Sequence, residues 1–449
     1  MSTKNITVAG AGLVGSLLSI FLARRGYKVN VFERRPDLRS IKVAPGRSIN
    51  LAMSERGWTA LKKVDLEDEI RGVGIAMPGR MIHLENGEKV YQPYGKDGEA
   101  IFSVSRNGLN RKLLEIASRE PNITFHFNQK CIDVDLKNAA LHVENNVTNQ
   151  RNTIEADLLF GTDGAFSMVR QAMQKTDLFN YSQNFLEHGY KELSIPAAAD
   201  GSAQLDLNAL HIWPRNSYMM IALPNTDNTF TCTLFIPFKG EISFEKLTTT
   251  EEWDQFIKTA FPSAYSLIPD LAMQTEQNPV SSLVTIQCSP WNFGNKVCLL
   301  GDASHAIVPF FGQGMNSGFE DCTLLDSFIE NSDKDISDLM ELFSQNRIPD
   351  ANAIAAMAYE NFIEMRDKVA DPQFLLRKKI EKWIAETYPE NYLPKYSMVS
   401  FSNVPYREAL EAGKKQDKLF EQLLSIPNIE NDFQVGESKM VIEEFLGII

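Results

Sequence analysis

The sequence lacks the cysteine patterns of disulfide-rich and zinc-binding proteins. Its 449 residues include five scattered cysteines, with no C-x-x-C pair and no histidine cluster beside them. An odd number of widely spaced cysteines favours reduced thiols over a disulfide framework or a structural zinc site. We therefore predict a cytoplasmic protein that binds no metal.

Long apolar runs and an excess of basic charge are also missing. No uninterrupted apolar segment approaches the roughly 20 residues that cross a bilayer, and the C-terminal MVIEEFLGII is short and carries two glutamates. A strand pattern begins so early that it leaves no room for a signal peptide. The formal net charge of −13 argues against nucleic acid, because phosphate binding favours a basic surface. We expect neither a membrane anchor nor a nucleic-acid partner.

The order of the predicted elements indicates an α/β fold. NITVA at 5–9 predicts a strand, an apolar helical segment follows, and KVNVFE predicts a second strand that ends at Glu33. Residues 205–238 predict an antiparallel meander, and the sequence from 329 onward has mostly helical periodicity. Because nucleotide-type elements flank the meander, we predict a Rossmann-like domain, an inserted antiparallel β-sheet domain and a helical C-terminal region.

These parts are predicted to interleave along the chain. A hydrophobic content of 43% with 23% charged residues is ordinary for a globular enzyme with a large core. No long linker or internal repeat separates independent halves. We assign 1–75, 101–178 and 286–328 to the nucleotide-binding domain, 76–100 and 179–285 to the sheet domain, and 329–449 to the helical region.

The segment GAGLVG satisfies the G-x-G-x-x-G pattern between the first strand and the first helix. Gly10 permits the tight turn, Gly12 lets a pyrophosphate approach the backbone, and Gly15 lets the helix pack closely on the strand. Glu33 ends the second strand, where a ribose hydroxyl acceptor belongs. A tight turn in any α/β protein is the alternative interpretation. The predicted dinucleotide site comprises Gly10, Gly12, Leu13, Val14, Gly15, Glu33 and Arg34, and the pattern alone does not distinguish NAD from FAD.

Two more glycine-flanked acids follow predicted strands. Asp163 lies in GTDGAFSMVR, although an Asp-Gly pair alone is more often a simple turn. Asp302 opens GDASHAIVPFFGQGMN, in which Gly314, Met315 and Asn316 predict free backbone N–H groups at a helix start. Such a positive corner would stabilise the anion of a reduced flavin. Alone, this loop could equally well only turn the chain.

In this order the three motifs resemble those of the class A FAD-dependent aromatic hydroxylases, which are built on the hydroxybenzoate-hydroxylase fold. The resemblance covers roughly the whole chain. It implies bound FAD, NADPH as co-substrate without a separate nicotinamide domain, and O2. It also implies that Asp302 contacts the flavin ribityl chain, that Asp163 is linked to both FAD and NADPH, and that Ala52 and Arg106 contact FAD.

Further segments resemble the kynurenine-hydroxylating branch of that family, among them RSINLAMSERG, GRMIH, YQPYG, SVSRNGLN, HIWPRNSYMMIALPN and YENFIEM. The resemblance implies that Arg80, Tyr94, Asn361 and Tyr396 hold the carboxylate of L-kynurenine. Arginine offers a rigid two-pronged donor for a carboxylate, and tyrosine adds a hydroxyl on an apolar ring. The substrate's aromatic ring is expected against Phe310, Phe311 and Met365. Some relatives have histidine where Phe311 stands, so a polar contact there is absent or replaced.

The implied reaction is hydroxylation of L-kynurenine to 3-hydroxy-L-kynurenine through a flavin C4a-hydroperoxide, with no protein nucleophile. Without the resemblance, Arg80 could be a solvated loop residue, Tyr94 a hairpin cap and Met365 part of the core. His305 fits a structural role better than that of a catalytic base. The alternatives are a hydroxylase of a phenolic or hydroxybenzoate-like aromatic, a flavin-dependent reductase, and a non-enzymatic nucleotide-binding module. We expect a monomer or a homodimer.

Overall fold

The computed structural model describes residues 4–41, 50–96, 98–368 and 371–448. The first three residues of RSINLAMSERG, 47–49, therefore lie outside the described residues. Within the described ranges, no helix combines the length and the apolar character that crossing a bilayer requires.

Strands occur mainly in the first two thirds of the described chain. In chain order they are β1 (Asn5–Ala9), β2 (Lys28–Glu33), β3 (Asn50–Met53), β4 (Gly74–Met77), β5 (Gly79–His83), β6 (Lys89–Pro93), β7 (Ile101–Ser105), β8 (Ile123–Phe127), β9 (Gln129–Asp135), β10 (Ala140–Asn145), β11 (Arg151–Ile154), β12 (Leu158–Gly161), β13 (Asn180–Ile195), β14 (Ala209–Arg215), β15 (Tyr218–Pro224), β16 (Phe230–Pro237), β17 (Val280–Ser289), β18 (Asn292–Phe293) and β19 (Val297–Leu299).

Helices connect the strands and make up most of the chain after β19. In chain order they are α1 (Leu13–Arg24), α2 (Glu55–Lys63), α3 (Glu67–Arg71), α4 (Arg106–Ala117), α5 (Met168–Met173), α6 (Thr250–Ala260), α7 (Pro262–Tyr265), α8 (Leu271–Gln277), α9 (Asp302–His305), α10 (Gly314–Glu330), α11 (Ile336–Ile363), α12 (Pro372–Thr387), α13 (Lys395–Ser400), α14 (Tyr406–Leu424), α15 (Ile429–Asp432) and α16 (Gly436–Phe445). A 3-10 turn spans Pro309–Phe311, and a π-helical turn at Glu364–Lys368 follows α11.

The nucleotide-binding part is built on a six-stranded sheet in the order β18-β19-β12-β1-β2-β8. Its pairs from β19 to β8 are parallel, and only the short β18 runs antiparallel. Parallel strands need crossover connections, and α1 supplies the first of them between β1 and β2. The predicted Rossmann-like unit is confirmed.

The inserted sheet has seven strands in the order β17-β13-β16-β15-β14-β5-β6. The predicted meander is confirmed as β14, β15 and β16, which pair antiparallel. One detail differs from the predicted antiparallel sheet, because β5 pairs parallel with β14. These two strands are joined by a long stretch of chain that passes through the nucleotide-binding part, so no tight hairpin forces them to be antiparallel. Two three-stranded sheets, β3-β7-β4 and β11-β10-β9, complete the strand structure.

The helical C-terminal region, predicted and now confirmed, is packed against both other parts. One buried cluster joins Ile212 and Phe235 of the inserted sheet, Phe310 of the 3-10 turn, Met357 of α11 and Val399 of α13. Burying an aromatic or large aliphatic side chain contributes about 1.5–3 kcal/mol. This shared core therefore holds the three parts together.

Two glycines of the first turn have different structural roles, which a pair of substitutions can separate. An alanine Cβ at Gly15 would lie 2.0 Å from the Gly10 carbonyl oxygen and 2.5 Å from the Thr162 Oγ1 atom, whereas at Gly12 it would meet nothing within 4 Å. We expect Gly15→Ala to lower the free energy of unfolding by about 1–3 kcal/mol and Gly12→Ala by less than about 1 kcal/mol. Urea denaturation of the two variants measures this, and equal losses would contradict the close packing at Gly15.

Candidate functional site

A cavity of about 570 Å³ opens where the six-stranded sheet, the inserted sheet and the segment 302–315 meet. All seven residues predicted to contact the substrate line it: Arg80, Tyr94, Phe310, Phe311, Asn361, Met365 and Tyr396. Most residues predicted to contact the cofactor line it as well: Gly10, Gly12, Leu13, Val14, Glu33, Arg34, Ala52, Arg106, Asp163, Asp302, Gly314 and Met315. The two predicted sets, which are far apart in sequence, thus share one cavity.

Gly15 and Asn316 do not line this cavity. Gly15 faces the Gly10 carbonyl oxygen and the Thr162 side chain, so its role is helix–strand packing. The Asn316 amide donates to the carbonyl oxygens of Ala52 and Gly312, both at 2.8 Å, and its oxygen accepts from the Ser54 backbone N–H at 2.9 Å. Asn316 therefore connects the start of α10 to the end of β3.

The glycine turn leaves an open corner at the start of α1. Gly10 has a φ of +101°, a backbone conformation that glycine adopts far more readily than other residues. Gly12 caps α1 without a side-chain hydrogen bond, and no atom lies where its Cβ would be. Free N–H groups at a helix start favour an anion. The turn therefore has the shape and the charge that a pyrophosphate needs.

Glu33 ends β2 beside this corner and is 5% exposed. Its carboxylate accepts from the Ala11 backbone N–H at 2.9 Å and from the Arg35 backbone and side chain at 2.8–3.2 Å. Burial alone would raise the pKa of Glu33, but the Arg35 guanidinium and the two backbone N–H groups hold that pKa below its usual value. Glu33 is thus an ionised acceptor that is already oriented by Arg35.

Asp163 has one satisfied and one unsatisfied carboxylate oxygen. Its Oδ2 accepts from the backbone N–H of Met168 at 2.7 Å and of Val169 at 3.3 Å. Its Oδ1 is buried and has no hydrogen-bond partner among the described residues. Burial raises the pKa of Asp163, and hydrogen bonds from Ser167 and the two backbone groups only partly oppose this shift. A buried polar atom without a partner is costly, so this cavity wall is suited to a ligand that donates a hydrogen bond.

The start of α10 is the third element of the cofactor end. Gln313 is its N-cap residue and provides no side-chain cap to the helix N–H groups, while Gly314 and Met315 line the cavity. The partial positive charge of a helix start stabilises a nearby anion. Asp302 begins α9 and faces the same cavity. Helix start and acid are therefore on one wall, as the GDASH…GQGMN segment predicts.

Ala52 and Arg106 lie at other points of the same end. Ala52 is in β3, and Arg106 is the exposed first residue of α4, next to the N-cap Ser105. Both line the cavity. An exposed guanidinium at the rim adds positive charge that an otherwise acidic chain needs in order to hold a phosphate group.

At the opposite end, Arg80 and two tyrosines form a polar corner. The Nε of Arg80 donates to the Gln92 side-chain oxygen at 3.0 Å, and its Nη2 lies 4.0 Å from a Glu364 carboxylate oxygen. The rings of Tyr94 and Tyr396 stack with centroids 5.1 Å apart. Burial raises the pKa of Tyr94 well above its usual value and that of Tyr396 to about 12. Both hydroxyls are therefore protonated at neutral pH and can donate hydrogen bonds.

Aromatic rings and a thioether continue the wall from this corner. Phe311 stacks on Tyr396 at 5.4 Å between centroids, and Phe310 lies 4.9 Å from Phe235 of the inserted sheet. The Asn361 amide donates to the Phe310 carbonyl oxygen at 2.6 Å and approaches the Met365 sulfur at 3.5 Å. The Asn361 side chain thus fixes the 3-10 turn that carries both phenylalanines.

Strands β14 to β16 of the inserted sheet contribute a part of the wall that the sequence did not predict. Its side chains are mainly aliphatic: Leu210, Ile212, Ile221, Leu223, Thr233 and Phe235. Alternation along β14 to β16 predicts two faces for each strand, and that was the only available signal. It does not say which face meets a cavity. Gln129, Lys130 and Cys131 from β9 were missed too, since no motif marks them.

A second cavity of about 940 Å³ adjoins the first on the side of α12 to α14. The two cavities share Arg80, Tyr94, Phe311, Asn361 and Tyr396. Its outer walls carry charged side chains of both signs, including Arg377, Lys378 and Glu381. The polar corner at Arg80 is therefore reached from two sides, and the glycine loops belong only to the smaller cavity.

A buried ionic network lies behind the cavity and supports the start of α10. Asp321 accepts from the Gly301 backbone N–H at 2.8 Å, from His305 at 2.6 Å and from the Arg347 Nε at 2.7 Å. Arg347 also pairs with Glu320 at 2.7 Å. His305 stacks on Trp291 and does not line the cavity, which is the structural environment predicted for it. Burial opposes ionisation of Asp321, but His305 and Arg347 hold its pKa below the usual value.

The described residues contain no cluster of histidine, cysteine and acidic side chains that could hold a metal ion. The cavity instead offers phosphate-binding backbone, oriented acids and an uncapped helix start at one end. At the other end it offers an arginine, two phenols and an aromatic wall. These groups suit a dinucleotide whose ring system meets a small aromatic carboxylate in the middle.

Comparison with protein families supports that interpretation of the cofactor end. Residues 3–356 match a family described as an FAD binding domain. Among solved structures, 2-methyl-3-hydroxypyridine-5-carboxylic acid oxygenase superimposes with a TM-score of 0.68 at 18% identity, covering 85% of this chain and 97% of that one. The p-nitrophenol 4-monooxygenase of Pseudomonas putida gives 0.65 at 18% identity, covering 92% and 98%. At such identities these likenesses show the fold.

Curated relatives are much more similar in sequence. A kynurenine 3-monooxygenase of Flavobacterium psychrophilum is 47% identical, with 99% of each chain covered. One from Flavobacterium johnsoniae is 48% identical with the same coverage. One from Dictyostelium discoideum is 42% identical, covering 99% of this chain and 97% of the relative.

The Asp321 network generates a prediction about stability. Removing one partner of a buried ion pair costs about 3–5 kcal/mol, so Asp321→Asn should destabilise the protein by that amount near neutral pH. The control is Asp417→Asn, because Asp417 is 42% exposed in its pair with Arg377 and such pairs contribute about 0–1 kcal/mol. Urea denaturation at several pH values measures both variants.

The loss of stability in Asp321→Asn should depend on pH and be smaller in acid. Because the folded pKa of Asp321 is lowered, its contribution is fully present above the unfolded value of about 3.9 and is lost as the pH falls through the folded pKa. The difference between the wild type and Asp321→Asn should therefore be largest near pH 7 and shrink below about pH 4. A loss no larger than that of Asp417→Asn would contradict the importance of the network.

Proposed function

The chain belongs to the kynurenine 3-monooxygenases of the FAD-binding family, and we propose that it uses FAD, NADPH and O2 to hydroxylate L-kynurenine to 3-hydroxy-L-kynurenine. It is thus a flavoprotein aromatic monooxygenase. The observation that carries the proposal is the single cavity in which the glycine loops and the Arg80 corner meet. An enzyme that oxygenates a small aromatic amino acid needs both ends in one enclosed space.

The residues at the cofactor end fit FAD. The open corner at Gly12 suits the pyrophosphate, Glu33 the adenosine ribose, and Asp302 the ribityl hydroxyls. When bound, the flavin supplies the chemistry that takes electrons from NADPH and activates dioxygen, so no metal and no protein nucleophile is required. The uncapped start of α10 at Gly314 and Met315 is positioned to stabilise negative charge on the reduced ring.

At the substrate end we propose that Arg80 binds the carboxylate of L-kynurenine. The Arg80 Nε donates to Gln92, and its Nη2 lies 4.0 Å from Glu364, beyond hydrogen-bond distance. The Nη groups can therefore form charge-assisted hydrogen bonds with a ligand. Tyr94 and Tyr396 are protonated donors beside it, since a phenol ionises only at about pH 10 and burial raises both pKa values further. Asn361 contributes by fixing the Phe310 backbone, at a distance of 2.6 Å.

The substrate's aromatic ring is proposed to pack between Phe310, Phe311, Met365 and the aliphatic residues of the inserted sheet. Phe310, Phe311 and Met365 are 4–7% exposed, so this part of the site is shielded from water. Exclusion of water protects a reactive oxygenating species from unproductive decay. An apolar wall beside a cationic corner also orients the ring relative to the carboxylate.

The alternative of a phenol or hydroxybenzoate hydroxylase is not favoured. The curated relatives compared above, at 42–48% identity, are kynurenine 3-monooxygenases. The fold is common to enzymes of several aromatic substrates, so the fold alone would leave the alternatives open. We also propose a cytoplasmic monomer or homodimer, and the five free cysteines of the described chain support a reducing compartment.

The function is tested by NADPH oxidation in the presence and absence of L-kynurenine, with mass spectrometry of the product. We expect a protein purified with yellow FAD, stimulation of NADPH oxidation by L-kynurenine, and a product heavier by one oxygen atom. Stimulation without oxygen insertion would make L-kynurenine an effector instead of the substrate. A colourless protein with no affinity for FAD would refute the proposal.

The role of Arg80 is tested by Arg80→Ala. Loss of a buried charge-assisted contact costs about 2–5 kcal/mol, so we expect L-kynurenine to bind roughly 30-fold or more weakly. FAD should bind about as before, because Arg80 lies at the opposite end of the cavity. Arg377→Ala is the matched control, since Arg377 lines only the outer cavity and pairs with Asp417. Calorimetric titration of both ligands measures these effects, and equal loss of both ligands in Arg80→Ala would contradict the assignment.

A further inference from the structure

We propose that Tyr406 is a positioning residue for the flavin, which acts through Gln313 to keep the start of α10 open toward the cofactor. This inference rests on the proposed function, because it takes α10 as the helix that faces the flavin. It adds a contribution from the helical C-terminal region to a cofactor end whose three glycine motifs all lie before residue 317.

Tyr406 connects α14 directly to the N-cap of α10. It is the first residue of α14, is fully buried, and its hydroxyl donates to the Gln313 side-chain oxygen at 2.8 Å. The Gln313 amide nitrogen in turn donates to the Ser54 hydroxyl at 3.2 Å. Gln313 is 1% exposed. Both the oxygen and the nitrogen of its side-chain amide are therefore hydrogen-bonded inside the protein.

The orientation of the Gln313 side chain determines whether it can cap α10. It is the N-cap residue of α10, yet its side chain makes no capping hydrogen bond to the described helix. The side-chain oxygen of a Ser, Thr, Asp or Asn at an N-cap position ordinarily accepts from the N–H groups two or three residues later, and Gln313 likewise carries an amide oxygen at this position. Since Tyr406 and Ser54 hold the Gln313 amide, the N–H groups at the start of α10 are left for a ligand in the cavity.

Tyr406 is itself held rigidly. The Arg56 guanidinium lies over its ring, 3.8 Å from the centroid. The Arg56 side chain also donates to the Val399 carbonyl oxygen at 3.3 Å and contacts the carbonyl oxygen of Val404 and the carboxylate of Glu320. Arg56 thus ties α2, α10 and the segment before α14 together around the tyrosine. The hydroxyl has little freedom to move, so it can impose a fixed geometry on Gln313.

Loss of the Tyr406 hydroxyl is expected to weaken the binding of reduced flavin more than the binding of oxidised flavin. Without the Tyr406 hydroxyl, the buried Gln313 oxygen loses its donor, and an unpaired buried acceptor is costly. The side chain then gains by turning toward the N–H groups of α10, which would compete with the flavin for them. Reduced flavin, which carries the negative charge, depends on these groups more than oxidised flavin does.

The test compares Tyr406→Phe with Tyr392→Phe. Tyr392 is also buried, at 2% exposed, but packs among the helices α12, α14 and α16 away from α10. We expect Tyr406→Phe to weaken binding of reduced FAD roughly 3- to 10-fold more than binding of oxidised FAD, the amount that one hydrogen bond supplies. The midpoint potential should become correspondingly more negative. In Tyr392→Phe the ratio of the two affinities should equal that of the wild type.

Flavin titration of the apoprotein and spectroelectrochemistry measure these quantities, and thermal denaturation shows whether both variants fold. Gln313→Leu and the double variant should both have the affinity ratio of the wild type, because without the Gln313 side-chain oxygen no side chain at the N-cap competes with the flavin for the N–H groups of α10. An unchanged ratio in Tyr406→Phe, an equal change in Tyr392→Phe, or additive effects in the double variant would each overturn the inference. If the wild type binds no flavin, the proposed function itself has failed.

Discussion

The Asp321 carboxylate, fully buried in α10, connects the elements on which the site depends. It accepts hydrogen bonds from the Gly301 backbone, His305 and Arg347, so one charge fixes the loop after β19, α9 and α11 at once. Burying a carboxylate is expensive unless it is paired and fully hydrogen-bonded, and here both conditions are met. The rigid start of α10 follows from this arrangement, since the helix cannot shift without breaking the network.

The side chains and backbone groups around the start of α10 determine which ligands the site can bind. At one end, backbone groups, an oriented Glu33 and a partly unsatisfied Asp163 form a polar wall that suits an anionic cofactor. At the other end, Arg80 and two phenols form a corner that suits a carboxylate. The shared core of Phe310, Phe235 and Met357 lies between the three parts of the fold and keeps water from the middle. The cavity therefore has an apolar middle and polar groups at its two ends.

The helical C-terminal region takes part in this arrangement at several points. It supplies Asn361, Met365 and Tyr396 to the cavity. Tyr406, over whose ring the Arg56 guanidinium of α2 lies, connects α14 directly to the N-cap of α10. Arg347 of α11 reaches the same helix through Asp321 and Ser317. A region that supplies none of the three glycine motifs thus helps to set the geometry at both ends of the site.

Local patterns in the sequence were sufficient for the β-α-β unit, the meander and the uncapped helix start, because turns, strand alternation and helix starts depend on residues close together in the chain. The motifs shared with the family extended the prediction to site residues as far apart in the chain as Arg80 and Tyr396. Three features depended on the tertiary structure: the parallel pairing of β5 with β14, the hydrogen bond of Asn316 to Ala52, and the aliphatic wall of the inserted sheet. In each case the deciding contact joins segments far apart in the chain, and no local preference specifies which distant surface a strand face or a side chain will meet.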